Sequence, residues 1–183
     1  HYLSSIEDIE GDYLEFGVFT GSSFSHSMRC CRSLARTNPG YSKIRFFGFD
    51  SFQGFGELND RDAHPFYRDN NFETDIGKVT KRCMKAAGNL KFRLVPGFFS
   101  DSLKDGPDSL GIEKARIIFL DSDTFSSADE ALRFCEPIVQ VGTYLILDDY
   151  FSYRGREDMG VAAAYLDFEN RTGANSRQLC SYG

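Results

Sequence analysis

Apolar runs of strand length alternate along the chain with longer segments whose apolar positions recur at helical spacing. This alternation predicts an α/β fold, a mainly parallel sheet with helices on both faces. The runs "DYLEFG", "IRFFGFD", "KFRLVPG", "ARIIFLD" and "TYLILDD" read as five successive strands. Gly21 to Ala35, "FETDIGKVTKRCMKAAG" with Gly88 as its stop signal, and "SADEALRFCEPIV" read as helices between them. "DMGVAAAYLDFENRTG" follows the fifth strand as an amphipathic helix, and "SRQLCSYG" begins one more strand. The stretch from Phe52 to Asn71 is rich in Gly, Asp and Asn and has no clear period. Connections of that length in compact domains are lids, binding loops or disordered segments.

Composition narrows the partners more than it changes this outline. With 183 residues, 41% of them hydrophobic, the chain suits a single domain over 1–183 with a substantial core. A net charge of -6 and a pI near 5.1 argue against a nucleic-acid backbone or an anionic membrane surface as the main partner, and favour small polar ligands or cations. No apolar run approaches the roughly 20 residues that span a bilayer, and the start lacks a secretory pattern. The five cysteines, Cys30, Cys31, Cys83, Cys135 and Cys180, are odd in number and without zinc spacing, which fits reduced thiols in a cytoplasmic protein. None of this sets an oligomeric state, so a homo-oligomer stays open.

In open parallel sheets ligands collect outside the carboxyl ends of the strands, so the residues just after each strand carry the most information. After the first strand comes "EFGVFTG", in which Gly17 and Gly21 allow tight turning and close backbone approach to a ligand. A dinucleotide fingerprint would need glycine at Phe19, and no Gly-Lys-Ser/Thr follows to make a phosphate loop. After the second strand comes Asp50, whose carboxylate can accept both hydroxyls of a ribose or, alternatively, cap its own turn. The fourth and fifth strands end in Asp121 and Asp123 and in Asp148 and Asp149. The bland reading of such acids is helix or turn capping.

The ordered set "LEFGVFTGSS", "GFDSFQGF", "VPGFFSDSL", "IIFLDSDTF" and "YLILDDY" resembles S-adenosylmethionine-dependent methyltransferases of the macrocin O-methyltransferase type, from about Asp12 to near Phe168. The resemblance implies a Rossmann-like methyltransferase fold, S-adenosylmethionine, a divalent cation, usually Mg2+, and methyl transfer to a hydroxyl of a small-molecule acceptor such as a sugar or natural product. It places Glu15, Gly17 and Gly21 around the methionine part of the cofactor and Asp50 on the ribose. Ser51 and Phe52 lie beside the ribose, Gly97, Phe98 and Phe99 line the adenine end, and Asp121, Asp148 and Asp149 are metal ligands. The chemistry agrees: a hydroxyl is a poor nucleophile towards a sulfonium methyl, and a hard cation held by carboxylates lowers its pKa and fixes it in line. Without a cation, gathered carboxylates would have to take up protons.

Asp123 is left with three roles open: orienting a ligand, acting as base, or standing at the surface. His64, in "RDAHPFY" of the long connection, is the histidine placed to act as base or to orient the acceptor. The chain departs from the family pattern in "TFSSADE", where Ser126 stands in place of a glutamate, and it lacks the last strand pair of the fold, as an excerpt of a longer domain would. Two alternatives follow: metal-independent transfer through Asp123 or His64, and a non-catalytic nucleoside- or partner-binding domain retaining the fold.

Overall fold

Five short, largely apolar runs form the sheet at the centre of the molecule. The computed structural model describes residues 1–67 and 72–181. Strands β1 (Asp12–Phe16), β2 (Arg45–Asp50), β3 (Lys91–Pro96), β4 (Ala115–Leu120) and β5 (Tyr144–Leu147) pair in parallel in the order β3-β2-β1-β4-β5. The chain walks outward from β1 to β3 and then returns to the other side of β1. The strand order therefore reverses between β1 and β4, which opens a crevice at their carboxyl ends.

Alternation along the strands divides the core. Leu14, Phe16, Phe47, Phe49, Ile118 and Leu120 face helices α5 (Phe125–Cys135) and α6 (Gly160–Thr172), where Leu132, Phe134, Val161 and Phe168 meet them. Tyr13, Phe46 and Ile117 point to the other face, towards Phe24 and Met28 of α2 (Ser22–Leu34) and Val79 and Cys83 of α3 (Ile76–Ala87). Phe16 and Phe49, paired in register, stack at 4.7 Å between centroids, and Phe99 and Phe134 meet Phe16 edge-on. Burying such a ring contributes roughly 2–3 kcal/mol, so this cluster anchors the strand ends that carry the polar residues.

The register runs past the strands. Gly17 N–H donates to the Phe49 carbonyl, Asp121 N–H to that of Phe16, and Asp148 N–H to that of Leu120. These extra bonds place Gly17, Asp121 and Asp148 in one row along the carboxyl edge. Only glycine serves at position 17: φ is +90°, and a Cβ there would lie 1.7 Å from the Asp121 carbonyl oxygen.

Several element boundaries differ from the sequence expectation. The third-strand helix starts at Ile76 rather than Phe72, because Asp75 caps it by accepting from Gly77 and Lys78 N–H. Residues before that cap pair instead with the chain after β2, through a Gln53–Glu73 bridge and a Thr74 N–H bond to the Phe52 carbonyl. Helix α5 starts at Phe125, two residues earlier than read, with Thr124 as its cap. "SRQLCSYG" makes no strand over residues 176–181, and Tyr182 and Gly183 lie outside the described residues. Short helices α1 (Tyr2–Ile6) and α4 (Phe99–Ser102) were not legible as periodic segments, being one turn each. The end of the long connection, residues 68–71, also lies outside the described residues. No helix among the described residues is long and apolar enough to cross a membrane.

Candidate active site

A cleft of about 730 Å³, counted to its open mouth, lies at the crevice between β1 and β4. Of the residues expected at the cofactor, Gly17, Asp50, Ser51, Phe98 and Phe99 line it, as do Asp121 and Asp123. Phe19, Phe55 and Phe72 add an aromatic wall, and Ser122 and Ser127 a polar one. Ser122 Oγ is buried in this wall and has no hydrogen-bond partner among the described residues.

Four of the expected cofactor residues, Glu15, Gly21, Phe52 and Gly97, do not line this cleft. Glu15 is fully buried on the α2 face, where the Tyr13 hydroxyl and Ser23 Oγ donate to its carboxylate, and burial raises its pKa to about 7. The period of the strand explains this: with Leu14 and Phe16 on one face, Glu15 must take the other. Gly21 is the left-handed cap of α2, and a Cβ there would meet Val79 of α3 at 2.9 Å, so its smallness serves helix packing. Phe52 is buried in the α2–α3 core, and Gly97 faces Ser102.

Asp50 closes its own turn and more. Its Oδ2 accepts from Val18 and Phe19 N–H at 2.7 and 2.6 Å, and its Oδ1 from Phe52 N–H at 2.6 Å. Phe19 and Phe52 both have positive φ, 47° and 58°, a conformation disfavoured for aromatic residues. One carboxylate thus holds two strained loops in place, and the capping role left open in the sequence is present in the structure.

On the other side of the crevice carboxylates face one another. One oxygen each from Asp121, Asp148 and Asp149 lies within 4.8 Å of the others. Burial first, and then the neighbouring charge of Asp148, pushes the Asp121 carboxyl up to about 8. Asp123 joins the group: burial and its hydrogen bond with Asp149 push its carboxyl up to about 9. Asp123 and Asp149 both have positive φ, 62° and 53°, at the turns following β4 and β5. An all-oxygen set of closely spaced acids fits a hard divalent cation, the partner that would relieve their repulsion.

His64 does not reach the cleft. Its Nδ1 accepts from Phe66 N–H, and its ring packs against Tyr67 at 4.4 Å and Tyr153 at 4.8 Å. It stands behind Tyr67, whose hydroxyl donates to Asp149 Oδ1 at 2.8 Å beside Ser152 Oγ, also at 2.8 Å.

Two contacts of the long connection were missed in the sequence. Asp62 is fully buried and accepts from Asn59 N–H, Ser126 N–H and Ser126 Oγ, which docks the connection onto the start of α5. Ser126, the departure from the family pattern, is therefore the receiver of a carboxylate from elsewhere in the chain. The Tyr153 hydroxyl adds bonds to the Asp62 and Asp123 carbonyls. "NDRD" carries the spacing of the reciprocal cap formed by Asn59 and Asp62, the one local signal that could have revealed it.

Comparison with known proteins bears on all of this. The family model described as Macrocin-O-methyltransferase (TylF) matches residues 4–176. The 8-demethyl-8-(2,3-dimethoxy-alpha-L-rhamnosyl)-tetracenomycin-C 4'-O-methyltransferase of Streptomyces olivaceus is 26% identical over 194 residues, covering 94% of this chain and 70% of that protein. The mycinamicin III 3''-O-methyltransferase of Micromonospora griseorubida is 26% identical over 159 residues, covering 80% of this chain and 58% of its own length. Among solved structures, calicheamicin methyltransferase CalS11 superposes with a TM-score of 0.74 at 20% identity, over 97% of this chain and 71% of that one. The O-methyltransferase NovP gives 0.69 at 21% identity, over 92% and 67%. These two share the fold.

Proposed function

The chain belongs to the macrocin O-methyltransferase family, and from that premise we propose that it transfers the methyl group of S-adenosylmethionine to a hydroxyl of a sugar-like small molecule, assisted by a divalent cation such as Mg2+. The observation that carries this reading is the convergence of Asp121, Asp148 and Asp149 at the switch point of the sheet, beside the cleft. One relative is named for O-methylation of a rhamnosyl-tetracenomycin and another for O-methylation of mycinamicin III, which supports the acceptor class.

Each wall of the cleft has a part in the reading. Gly17, Asp50, Ser51 and the unpartnered Ser122 Oγ offer polar contacts to the nucleoside and amino-acid ends of the cofactor, while Phe98 and Phe99 offer an apolar slot for the base. The fourth lone pair of Asp50, left after three backbone bonds, is the one available to a ribose hydroxyl. Asp121, Asp148 and Asp149 would hold the cation, which when bound supplies a lowered hydroxyl pKa and an in-line hold on the acceptor. Asp123 orients Asp149 through their hydrogen bond, and Tyr67 and Ser152 fix the same carboxylate from the far side. His64 supports Tyr67 and is assigned no proton transfer. Five free cysteines, three of them buried, fit a reducing compartment and a cytoplasmic enzyme.

A second reading, metal-free transfer with Asp123 as base, is favoured by the place of Asp123 on the cleft wall and its raised proton affinity. One experiment separates the two. Purified protein is given S-adenosylmethionine and a panel of glycosylated and phenolic acceptors, with Mg2+ or with chelator, and products are read by mass spectrometry. We expect a mass gain of one methyl only with Mg2+, lost in Asp148→Ala. Equal product in chelator, or full activity in Asp148→Ala, sinks the metal-assisted reading.

A further inference from the structure

Charge on this molecule is segregated. Helices α2 and α3 together hold six of the 21 Lys and Arg residues and none of the 27 Asp and Glu, leaving the rest of the chain with 15 basic against 27 acidic residues. Five of the six, Arg29, Lys78, Lys81, Arg82 and Lys85, line a shallow groove between the two helices, with buried Ala86 at its floor. This groove lies on the outer face of α2 and α3 and shares no lining residue with the active-site cleft.

Elsewhere Arg45, Arg61, Arg133, Arg156 and Arg171 each form an ion pair with a carboxylate, while Arg32, Arg36, Arg93, Arg116, Arg154, Arg177 and the lysines form none among the described residues. None of the five groove residues forms one among the described residues either. Arg82 donates to the Thr20 carbonyl, and Asp75, the acid just before α3, is occupied in capping Gly77 and Lys78 N–H. Five exposed cations crowded on one strip repel one another, and a net-acidic protein has ample carboxylates with which to neutralise them. An external anion would replace that repulsion with attraction.

We propose that the α2–α3 groove is a docking surface for an acidic helix of a partner protein. Lys78, Lys81, Arg82 and Lys85 fall at i, i+3, i+4 and i+7, one face of α3, and span about 10 Å at 1.5 Å per residue. Acids at the same spacing on a partner helix would meet them in register, with Arg29 closing the second wall. Met84, 63% exposed, flanks the strip beside Lys81 and gives it the adaptable apolar contact common at protein interfaces, which a phosphate backbone would not use. The strip is also short. A nucleic acid extending past its two turns would run along the acidic remainder of the molecule, whereas one partner helix would not.

Fluorescence anisotropy tests this with the intact chain and three probes of equal charge: an 18-residue helical peptide with glutamates at i, i+3, i+4 and i+7, the same composition scrambled, and a short DNA duplex. The patterned peptide is expected to bind at least about 10-fold tighter than either comparator, with affinity falling by about 10-fold or more from 50 to 300 mM salt. Lys78→Glu/Lys81→Glu/Lys85→Glu should abolish binding while leaving the melting temperature within a few degrees, and the same triple change to Gln should weaken it by about 10-fold. Lys104→Glu/Lys114→Glu, elsewhere on the surface, should leave it intact. Absence of binding, equal binding of the scrambled peptide, tighter binding of the duplex, or an unaffected triple Glu variant would each overturn the proposal.

Discussion

The two sides of the crevice use the same functional group in opposite ways. On the β2 side the Asp50 carboxylate accepts three backbone N–H bonds and holds two loops. Charge there is met from within the chain and stabilises the fold. On the β4–β5 side Asp121, Asp123, Asp148 and Asp149 act chiefly on one another, and burial with mutual repulsion raises two of them far above an ordinary carboxyl. The first arrangement has three of its four acceptor sites filled from within the chain. The second is a stability cost, which on the proposed reading a bound cation would relieve. Acids largely satisfied by the fold and acids that repel one another are thus distinguished by what surrounds the oxygens, not by position after a strand.

The largest way to sharpen this contrast is catalytic. Asp148→Ala should lower methyl transfer by about 100-fold or more, as expected for loss of a group that binds the cation, without unfolding the protein. Steady-state rates at saturating cofactor, with circular dichroism as the control, would check it.

Next comes a contrast in the sign of stability. Asp50→Ala removes three charge-assisted bonds from loops with positive φ and should destabilise by about 2–4 kcal/mol. Asp121→Asn, in chelator at pH 8, should instead stabilise by about 1–2 kcal/mol, because it removes a charge that the fold penalises. Urea unfolding of both variants reads the two signs directly.

The same penalty sets a pH dependence. Asp121 and Asp123 have folded-state pKa values of about 8 and 9 against an ordinary 3.8, so the folded protein binds more protons than the unfolded chain between these values. Their contribution to stability is fully present below pH 4 and is lost as pH rises through 8 to 9. In chelator the melting temperature should therefore fall from pH 6 to pH 9. Mg2+ should recover more of it at pH 8 than at pH 6, and a metal shift independent of pH would contradict the account.

The smallest effect concerns Tyr67. Tyr67→Phe removes one hydrogen bond to Asp149 and should cost only about 0.5–1.5 kcal/mol in stability. The expected signature is a Mg2+ requirement raised by roughly 10-fold at nearly unchanged cofactor affinity. An unchanged Mg2+ requirement would remove Tyr67 from the positioning of that acid.

Much of this was legible in the sequence because it depends on short-range pattern. The strands lie within a residue or two of their apolar runs, and parallel pairing aligns their ends, so Asp50, Asp121 and Asp148 come to one edge from position alone. Glu15 does not line the cleft: a family motif does not say which face of a strand a residue takes, although the alternation of Leu14, Glu15 and Phe16 does. Gly21 fell at a helix–helix contact for a similar reason: small size serves protein and ligand alike. Asp62 and Tyr67 could not be placed, since their partners Ser126 and Asp149 lie 64 and 82 residues away. No local period encodes such a contact. The basic strip was visible as spacing in "KVTKRCMK", but that it forms no ion pair among the described residues emerges only from the fold.

The central claim is that the frustrated acids await a divalent cation, and the most direct measurement is stoichiometric binding of Mn2+, a paramagnetic stand-in for Mg2+, followed by electron paramagnetic resonance in the presence of S-adenosylhomocysteine. The account predicts one bound Mn2+ per chain, displaced by excess Mg2+ and lost in both Asp121→Asn and Asp148→Ala. No bound ion in the intact chain, or one retained in both variants, would contradict it.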